Sequence, residues 1–250
     1  MKAIKLNSLS ELRIETYPFN HIVIDDFFDS EHALQLSKNF PEYESNFWKG
    51  IYNDDLVTKK TCQDWSSFSA IFYETFHSLM SPNFTDSLEN LFQIEKLVPD
   101  FGLHGGGLHS HRNGGKLNIH LDYYTHYKIP DFKRQLNLIV YLNEKWEKSY
   151  GGHLELWTHD EINDQPEFCI KKIEPIFNRA VIFDTTQNSW HGFPEPYNGP
   201  EGNSRNSIAT YYLTPNDNLS DRNRALFAPY GDQKNDEKIL AQIKQRAKNY

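Results

Sequence analysis

The sequence predicts one mainly β domain with flanking helices, an α+β protein whose core is a jelly roll. After Asp100 the chain consists of short strand-like runs divided by turn residues, with no helix between them. Before Asp100, apolar residues recur at helical spacing. The 12 prolines and 13 glycines are spread along all 250 residues and form no linker, so we expect a single domain.

The N-terminal hundred residues predict one strand and three helices. The run "HIVIDDFF" is typical of a strand, and "SEHALQLSKNF" of a helix that Pro41 ends. Apolar residues at helical spacing predict two more helices, in "WSSFSAIFYETFHSLM" and, after Pro82, in "TDSLENLFQIEKL". Their aromatic side chains are expected to form core and not a cofactor site.

Seven strand-like runs follow, and one terminal helix. The runs are "KLNIHLDYY", "RQLNLIVYLN", "GGHLELWT", "EFCIKKIEP", "RAVIFDTT", "SWHGFP" and "RNSIATYYL". Strands of this number and spacing without intervening helices predict antiparallel sheets that pack as a sandwich or barrel. The tail "DEKILAQIKQRAKNY" predicts an exposed helix. We therefore divide the domain into supporting elements (1–100), a jelly-roll core (101–215) and a C-terminal lid or helix (216–250).

Charge and composition disfavour several classes of partner. With 26 basic and 34 acidic residues the net charge is −8, which disfavours nucleic acid and anionic membranes unless a local basic patch reverses it. The N-terminal segment has no apolar run typical of a signal peptide. Cys62 and Cys169 are far apart in sequence and fit neither a disulfide framework nor a zinc knuckle. We expect a cytoplasmic protein; its oligomeric state is not indicated.

The run "GGKLNIHLDYYTHY" places polar residues where a strand would present one face. Successive strand side chains alternate, so Asn118, His120 and Asp122 are expected on one face, and the apolar residues between them on the other. Such a polar face is typical of a ligand site. The alternative is an edge strand whose polar face meets water.

Two later segments carry matching chemistry. His191 lies in "NSWHGFP", and two histidines with one carboxylate form a set that binds non-haem Fe(II), although zinc enzymes use it too. Arg205 in "GNSRNSIATYYLTP" is expected to enter a strand with Ser207 on the same face. A buried guanidinium needs an anionic partner, which a dicarboxylate ligand or an intraprotein ion pair would supply.

Together these segments resemble the 2-oxoglutarate- and Fe(II)-dependent oxygenases, in particular the prolyl 4-hydroxylase-like branch. The resemblance spans residues 18–215 and starts with "PFNHIVIDDFFDSEHALQLSKNFP". It continues through "NIHLDY", "RQLNLIVYLNEKW", "GGHLELW", "AVIFDTTQNSWHGF" and "RNSIATYYL". The sequence departs from the family in one respect: Arg205 follows His191 by 14 positions, a spacing longer than usual. The register of the last strand is therefore left open.

The resemblance implies a double-stranded β-helix with specific roles for five residues. His120, Asp122 and His191 would be the metal ligands and catalytic residues. Arg205 would hold the distal carboxylate of 2-oxoglutarate. Tyr141 would donate a hydrogen bond to the same carboxylate, or it would be an aromatic residue of the core. Fe(II), 2-oxoglutarate and O₂ would be required, and ascorbate would stimulate.

The implied activity is hydroxylation of an organic substrate, with a prolyl residue of a peptide or protein favoured by kinship. A small metabolite or glycan precursor is the alternative substrate. A cupin-like metal enzyme or a sugar-binding jelly roll, neither using 2-oxoglutarate, are the rival classes. His104, His109 and His111 are expected to be pocket or hydrogen-bonding residues before ligands, and His153 has no assigned role. Candidates for the pocket wall or a lid are Trp190, Tyr123, Tyr124 and "DRNRALFAPYGDQ" (221–233).

Overall fold

The computed structural model describes residues 12–216 and 225–248, which contain four α-helices and thirteen β-strands. The helices are α1 (Ser30–Lys38), α2 (Ala70–Leu79), α3 (Pro82–Phe92) and α4 (Glu237–Lys248). The first seven strands are β1 (His21–Ile24), β2 (Gly50–Asn53), β3 (Val57–Cys62), β4 (Val98–Pro99), β5 (Gly107–His111), β6 (Lys116–Leu121) and β7 (Phe132–Tyr141). The others are β8 (Leu154–Asp160), β9 (Gln165–Ile173), β10 (Ala180–Asp184), β11 (Trp190–Phe193), β12 (Arg205–Pro215) and β13 (Leu226–Phe227).

The strands form one curled antiparallel sheet, as the sequence predicts. Hydrogen bonding follows the order β1-β10-β7-β12-β5-β3-β6-β11-β8-β9. Strand β2 pairs with β3, β4 with β12, and β13 with β6. Apart from the pairs β8–β9 and β2–β3, strands that lie side by side are not consecutive in sequence, which is the crossing pattern of a jelly roll. Because β3 pairs with both β5 and β6, it joins the two halves of the sheet beside the cavity.

The helices α1, α2 and α3 pack on the outer face of the sheet. Their apolar residues meet those of the central strands in the main core cluster, for example Leu36, Phe76 and Leu88 with Leu136 and Ile208, all fully buried. This layer supports the strands that carry the site and leaves the inside of the curled sheet free for a cavity.

The helix limits differ from the prediction for local reasons. Residues Trp65–Ser67 form a short 3₁₀ turn and not the start of α2, because the Asp64 carboxylate accepts hydrogen bonds from the Ser66 amide and both serine hydroxyls. Helix α3 ends at Phe92, since Gln93 adopts the left-handed conformation with φ of 54°.

The tail forms the predicted helix α4, but the helix is not simply exposed. Ile239 and Ile243 are both buried and pack against Leu56 and Val57 of the β2–β3 region. The C-terminal segment thus closes one side of the molecule. Among the described helices, none combines the length and hydrophobicity that crossing a bilayer requires.

Candidate active site

Strands β6 and β11 bring the three predicted ligand residues together. His120 and His191 are direct partners in the antiparallel register, and Asp122 follows the end of β6. One potential ligand atom from each residue lies within 4.8 Å of the others, and the exposed fractions are 7%, 6% and 3% for His120, Asp122 and His191. The order of strands in the sheet, and not sequence proximity, makes this cluster.

Both imidazoles are oriented by the backbone. Nδ1 of His120 lies 3.0 Å from the carbonyl oxygen of Asn118, and Nδ1 of His191 lies 2.8 Å from that of Ser189. A carbonyl can only accept, so Nδ1 carries the proton in both neutral rings and Nε2 has a free lone pair. Each Nε2 lies 3.8 Å from an oxygen of Asp122. The donor set of two neutral imidazoles and one carboxylate fits Fe(II).

The ionisation of the cluster suits a metal site. Burial, and next the neighbouring His191, lower the pKa of His120 to about 3. Burial also lowers the pKa of His191. Burial alone would raise the pKa of Asp122, but His191, Arg134 and His120 hold it at about 2. At neutral pH the site therefore offers two neutral nitrogen donors and one anionic oxygen donor without competition from protons.

The Asp122 carboxylate is fixed by three further side chains. The Tyr211 hydroxyl donates to Oδ2 at 3.0 Å, and the Asn137 amide donates to the same oxygen at 3.3 Å. The Arg134 guanidinium donates to Oδ1 at 3.5 Å. Arg134 is itself placed between the rings of Tyr123 and Tyr211, with centroids 3.4 and 3.6 Å from its Cζ. These contacts restrict the directions in which the carboxylate can point.

Arg205 and Tyr141 lie at the buried end of the same cavity. The Arg205 Nε donates to the carbonyl of Gly152 at 2.7 Å, and Nη2 lies 3.5 Å from the Tyr141 hydroxyl. Within the described chain no carboxylate pairs with Arg205, although only 3% of it is exposed. Burial lowers the pKa of Arg205, which reflects the cost of an uncompensated buried cation. The intraprotein ion pair considered above is thus absent from the described residues.

A cavity of about 660 Å³ connects these groups. Arg205, Ser207, Ala209 and Tyr211 alternate along one face of β12 and all line it, so the predicted register of Arg205 and Ser207 is correct despite the longer preceding loop. Apolar side chains complete the wall around the polar groups: Leu117, Ile139, Leu154, Phe193 and Phe227. Such a wall excludes water from the site.

The predicted alternation in β6 is wrong for Asn118. A bulge between the pairs His191–His120 and Phe193–Leu117 shifts the register, so Leu117 lines the cavity with His120 and Asp122. Asn118 points elsewhere, and its amide donates to the Ala228 carbonyl at 3.1 Å and to Gln233 Oε1 at 2.6 Å. The residue therefore fastens the C-terminal segment to β6.

A family comparison covers the same strands. The sequence model of the 2OG-Fe(II) oxygenase superfamily matches residues 106–213, from β5 to β12, and this segment contains the triad and Arg205. Across these residues the chain resembles the 2-oxoglutarate- and Fe(II)-dependent oxygenases, as the sequence predicts. The match supports the expected dioxygenase class and the expected use of Fe(II), 2-oxoglutarate and O₂.

The chain is similar to curated proteins in sequence and to solved structures in fold. It is 26% identical over 210 residues to the mouse (Mus musculus) protein named "Prolyl 3-hydroxylase OGFOD1", across 82% of this chain and 34% of the relative. The Xenopus laevis protein of that name is 25% identical over 205 residues, across 80% of this chain and 36% of the relative. The chain thus spans about a third of the length of these curated relatives.

Solved structures confirm the double-stranded β-helix. A Pseudomonas putida prolyl-4-hydroxylase superposes with a TM-score of 0.58 at 14% identity and covers 86% of this chain and all of its own. A Trichoplax adhaerens prolyl hydroxylase, in complex with a peptide fragment of the hypoxia inducible factor oxygen degradation domain, superposes with a TM-score of 0.57 at 18% identity. The shared segment covers 84% of this chain and 90% of the Trichoplax chain.

A second histidine and carboxylate cluster lies beside the candidate active site. Asp100, His104 and His126 have potential ligand atoms within 4.8 Å of one another. However, Nδ1 of His126 accepts hydrogen bonds from the Lys128 and Ile129 amides at 3.3 and 3.0 Å, so the neutral ring carries its proton on Nε2, which lies 3.4 Å from Asp100 Oδ2. Nε2 then has no lone pair for a metal. The cluster is better explained as a hydrogen-bonding network, in which the His104 carbonyl accepts from Arg134.

The remaining predicted candidates are distributed between cavity and core. His104, His109, His111 and Tyr123 line the cavity. Trp190 is buried in a core cluster and donates from its indole nitrogen to His159, while Tyr124 is not part of the cavity wall. His153 packs its ring against Trp146, outside the cavity. Of the segment 221–233, residues 221–224 lie outside the described residues, and Ala225 and Phe227 form part of the wall.

Sequence reasoning missed Arg134 and Lys59, both of which line the cavity. Each lies beside another basic residue, in "FKRQL" and "VTKKTC", and such pairs are usually solvated. Strand alternation would have placed Arg134 on the other face of β7, because even steps separate it from Leu136, Leu138 and Val140 in the helix-side core. A register shift between β7 and β12 near Arg134 changes this alternation, and Arg134 lines the cavity. Lys59 gives no signal in the sequence either.

Proposed function

We propose that this oxygenase hydroxylates a prolyl residue of a peptide or protein, using His120, Asp122 and His191 to hold Fe(II) and Arg205 with Tyr141 to hold 2-oxoglutarate. The observation that carries the proposal is the buried guanidinium of Arg205, which has no carboxylate partner in the described chain and lies in one cavity with the triad. A dicarboxylate cosubstrate satisfies that cation, whereas a metal enzyme without 2-oxoglutarate would leave it unpaired.

Bound Fe(II) and 2-oxoglutarate would allow O₂ to convert a C–H bond into an alcohol, with succinate and CO₂ as the other products, and the chain's residues position the participants. The carbonyls of Asn118 and Ser189 keep the two Nε2 atoms directed at Asp122. Arg205 supplies charge and a planar pair of donors for one carboxylate. Burial raises the pKa of Tyr141, so its hydroxyl stays protonated and can donate to the same carboxylate.

The prolyl substrate is supported by the relatives. Two curated relatives are named as prolyl 3-hydroxylases, and the two superposed structures are a prolyl-4-hydroxylase and a prolyl hydroxylase with a bound peptide. The cavity opens among exposed aromatic side chains, Tyr52 at 42% and Tyr127 at 65% exposure, which suits an extended peptide.

The test is turnover of 2-oxoglutarate with Fe(II), ascorbate and O₂, measured as succinate, in the presence of proline-containing peptides. We expect basal succinate formation, stimulation by some peptides, and the gain of one oxygen atom in the peptide by mass spectrometry. Amino-acid analysis then distinguishes 3- from 4-hydroxyproline, the two positions that the relatives' names include.

The matched variant is His120→Ala, which should abolish both basal succinate formation and peptide hydroxylation. Lys60→Met, on the far side of β3 from the cavity, should retain them. Stimulation by metabolites or glycan precursors and by no prolyl peptide would overturn the peptide substrate and retain the dioxygenase.

A further inference from the structure

The cavity wall has a charge opposite to that of the whole chain. The chain carries a net charge of −8, yet five cationic side chains and a single carboxylate, Asp122, belong to the described cavity wall. The cationic residues are Lys59, Lys128, Arg134, Arg205 and Arg246. A cavity with this excess of positive charge favours an anionic ligand beyond the metal cluster itself.

Three of the five cations already have a function or a partner. Arg134 faces the carboxylate of Asp122, and Arg246 pairs with Asp54. Arg205 is the group proposed above for 2-oxoglutarate. Lys128 is exposed at the rim. Lys59 is the cation that lines the cavity wall, is half-buried and remains unassigned.

The position of Lys59 follows from strand alternation. Val57 and Lys59 line the cavity, whereas the intervening face of β3 is directed away from it. Lys60, the next residue, donates instead to the Tyr43 carbonyl at 2.8 Å and to Glu44 at 3.4 Å. In β2, Tyr52 is the register partner of Lys59, and the Lys59 Nζ lies 5.7 Å from the Tyr52 ring centroid.

Lys59 has no carboxylate within ion-pair distance and no hydrogen-bond acceptor among the residues that the structure describes. Burial lowers the pKa of its ammonium group to about 8, with Arg134 and Arg205 also lowering it and Asp122 raising it. The surroundings therefore oppose its charge. An anion placed at the ammonium group would offset this cost.

We propose that Lys59 binds a carboxylate side chain of the substrate, that of an Asp or Glu residue close to the target prolyl residue. This inference rests on the proposed prolyl hydroxylase function. Lys59 lies next to the exposed ring of Tyr52 and therefore towards the rim of the cavity, where a peptide enters. Arg205 and Tyr141 form the buried end. The carboxylate of a peptide residue can thus reach Lys59 while 2-oxoglutarate occupies Arg205.

The test compares pairs of prolyl peptides that differ only by Glu against Gln at each position flanking the proline. The substrates are assayed for succinate formation above the basal rate with the wild-type enzyme, Lys59→Met and Lys60→Met. Methionine keeps the apolar length of lysine and removes the charge. Binding of the same peptides is measured by calorimetry with Mn(II) and 2-oxoglutarate in the absence of O₂.

We expect the wild type to prefer the Glu peptide at one flanking position by about 10- to 150-fold in kcat/KM and in affinity, the range of a hydrogen bond between charged groups. Lys59→Met should reduce this preference to about one, and Lys60→Met should retain it. The combination separates recognition at the cavity from a general effect of losing a positive charge on β3.

Four outcomes overturn the inference. Equal use of Glu and Gln peptides at every position overturns it and leaves the prolyl function intact. If Lys59→Met still prefers the Glu peptide over the Gln peptide, another residue binds the carboxylate. A raised KM for 2-oxoglutarate in Lys59→Met, with the peptide preference retained, assigns Lys59 to the cosubstrate. If no prolyl peptide binds or is hydroxylated, the proposed function fails and the inference fails with it.

Discussion

Arg205 and Arg179 both precede strand-like runs in the sequence, but the structure gives them opposite surroundings. Arg179 forms a two-pronged ion pair with Asp25 at 2.6 and 2.9 Å, and it is not part of the cavity wall. Arg205 lines the cavity without a carboxylate partner in the described chain. The two residues therefore form a matched pair of variants.

We expect Arg205→Ala to raise the KM for 2-oxoglutarate about 10- to 150-fold, because it removes a charged hydrogen bond worth about 1.5–3 kcal/mol. Arg205→Lys should retain part of this affinity through charge while losing the planar geometry. The measurement is succinate formation at varied 2-oxoglutarate, together with Fe(II) binding, which should change little.

Arg179→Ala is the control, and it should lower the melting temperature more than it changes cosubstrate use. An Arg205→Ala enzyme with an unchanged dependence on 2-oxoglutarate would show that another group holds the carboxylate.

The residues that sequence analysis identified are recognisable from their close spacing or from their order along the chain. His120 and Asp122 are separated by one residue, and His191 and Arg205 follow in family order with recognisable neighbours. Arg134 and Lys59 lack such a signal, because their proximity to Asp122 depends on how β7 and β3 lie in the sheet. Asn118 was misplaced for a related reason, since a bulge is a property of two paired strands.

At the scale of elements, the turn before β8 controls the position of Arg205. Gly152 has a φ of +71°, and a Cβ there would lie 2.9 Å from Arg205 Cδ and 3.2 Å from its Nε. Gly152→Ala should therefore displace the guanidinium and raise the KM for 2-oxoglutarate by about tenfold, equivalent to about 1.4 kcal/mol. Steady-state kinetics and a melting curve measure the two effects separately.

Gly202→Ala controls for backbone strain, because Gly202 has a φ of +83° but open space around its Cβ position. It should lower stability without changing the KM. Equal KM changes in both variants would refute the direct contact with Arg205.

Helix α4 stabilises the fold through two isoleucines on its buried side. Ile243→Ala should reduce the free energy of unfolding by about 2 kcal/mol, since it opens a gap against Leu56 and Val57. Denaturant titration measures the change. Gln245→Ala, on the exposed side of the same helix, should stay within about 0.5 kcal/mol of wild type, and a similar loss in both would show that helix formation, not packing, is affected.

The predictable elements were those with strong internal patterns. The second half of β7, "LNLIVY", and most of β10, "AVIFD", are apolar runs, and the helices α1 to α3 show helical spacing. The β2–β3 hairpin was not predicted, because "GIYN" and "VTKKTC" have few apolar residues, and β3 is held by pairing with β5 and β6. The buried side of α4 likewise depends on this hairpin, which lies far away in sequence.

At the scale of the whole molecule, the proposed metal site links ligand binding to stability. With Mn(II) and 2-oxoglutarate at about 100 times their dissociation constants, each ligand adds about 2.7 kcal/mol. For a chain of this size we expect the melting temperature to rise by about 5–10 °C per ligand. Scanning fluorimetry measures the shift without turnover, and Asp122→Asn should lose most of the metal component. Coincident melting curves with EDTA and with Mn(II) would contradict the assignment of the triad.

The buried histidines predict a steep loss of stability in acid for the metal-free protein. Burial lowers the pKa of His109 and of His120 to about 3, and it lowers those of His111 and His191 as well. Histidine in the unfolded chain has a pKa of about 6.5. Below that pH the unfolded chain binds protons that the buried histidines of the folded chain do not bind. The stability present above pH 6.5 is therefore lost as the pH falls. Each such histidine contributes a slope of up to about 1.4 kcal/mol per pH unit.

Melting temperatures of the EDTA-treated protein between pH 7.5 and 4.5 check this expectation, and bound Mn(II) should move the loss to lower pH. A constant melting temperature from pH 6.5 to pH 5 would exclude it.

The depth of the cavity also sets the sequence in which reactants arrive and leave. Tyr141 and Arg205 are 0% and 3% exposed at its inner end, whereas Tyr52 and Tyr127 at the rim are 42% and 65% exposed. On the proposed function, with 2-oxoglutarate held at Arg205, a peptide lying across the rim would close the path by which the cosubstrate entered. 2-Oxoglutarate would then have to load first, and succinate would depart only after the hydroxylated peptide, so release of the large product would govern how soon the next cycle begins.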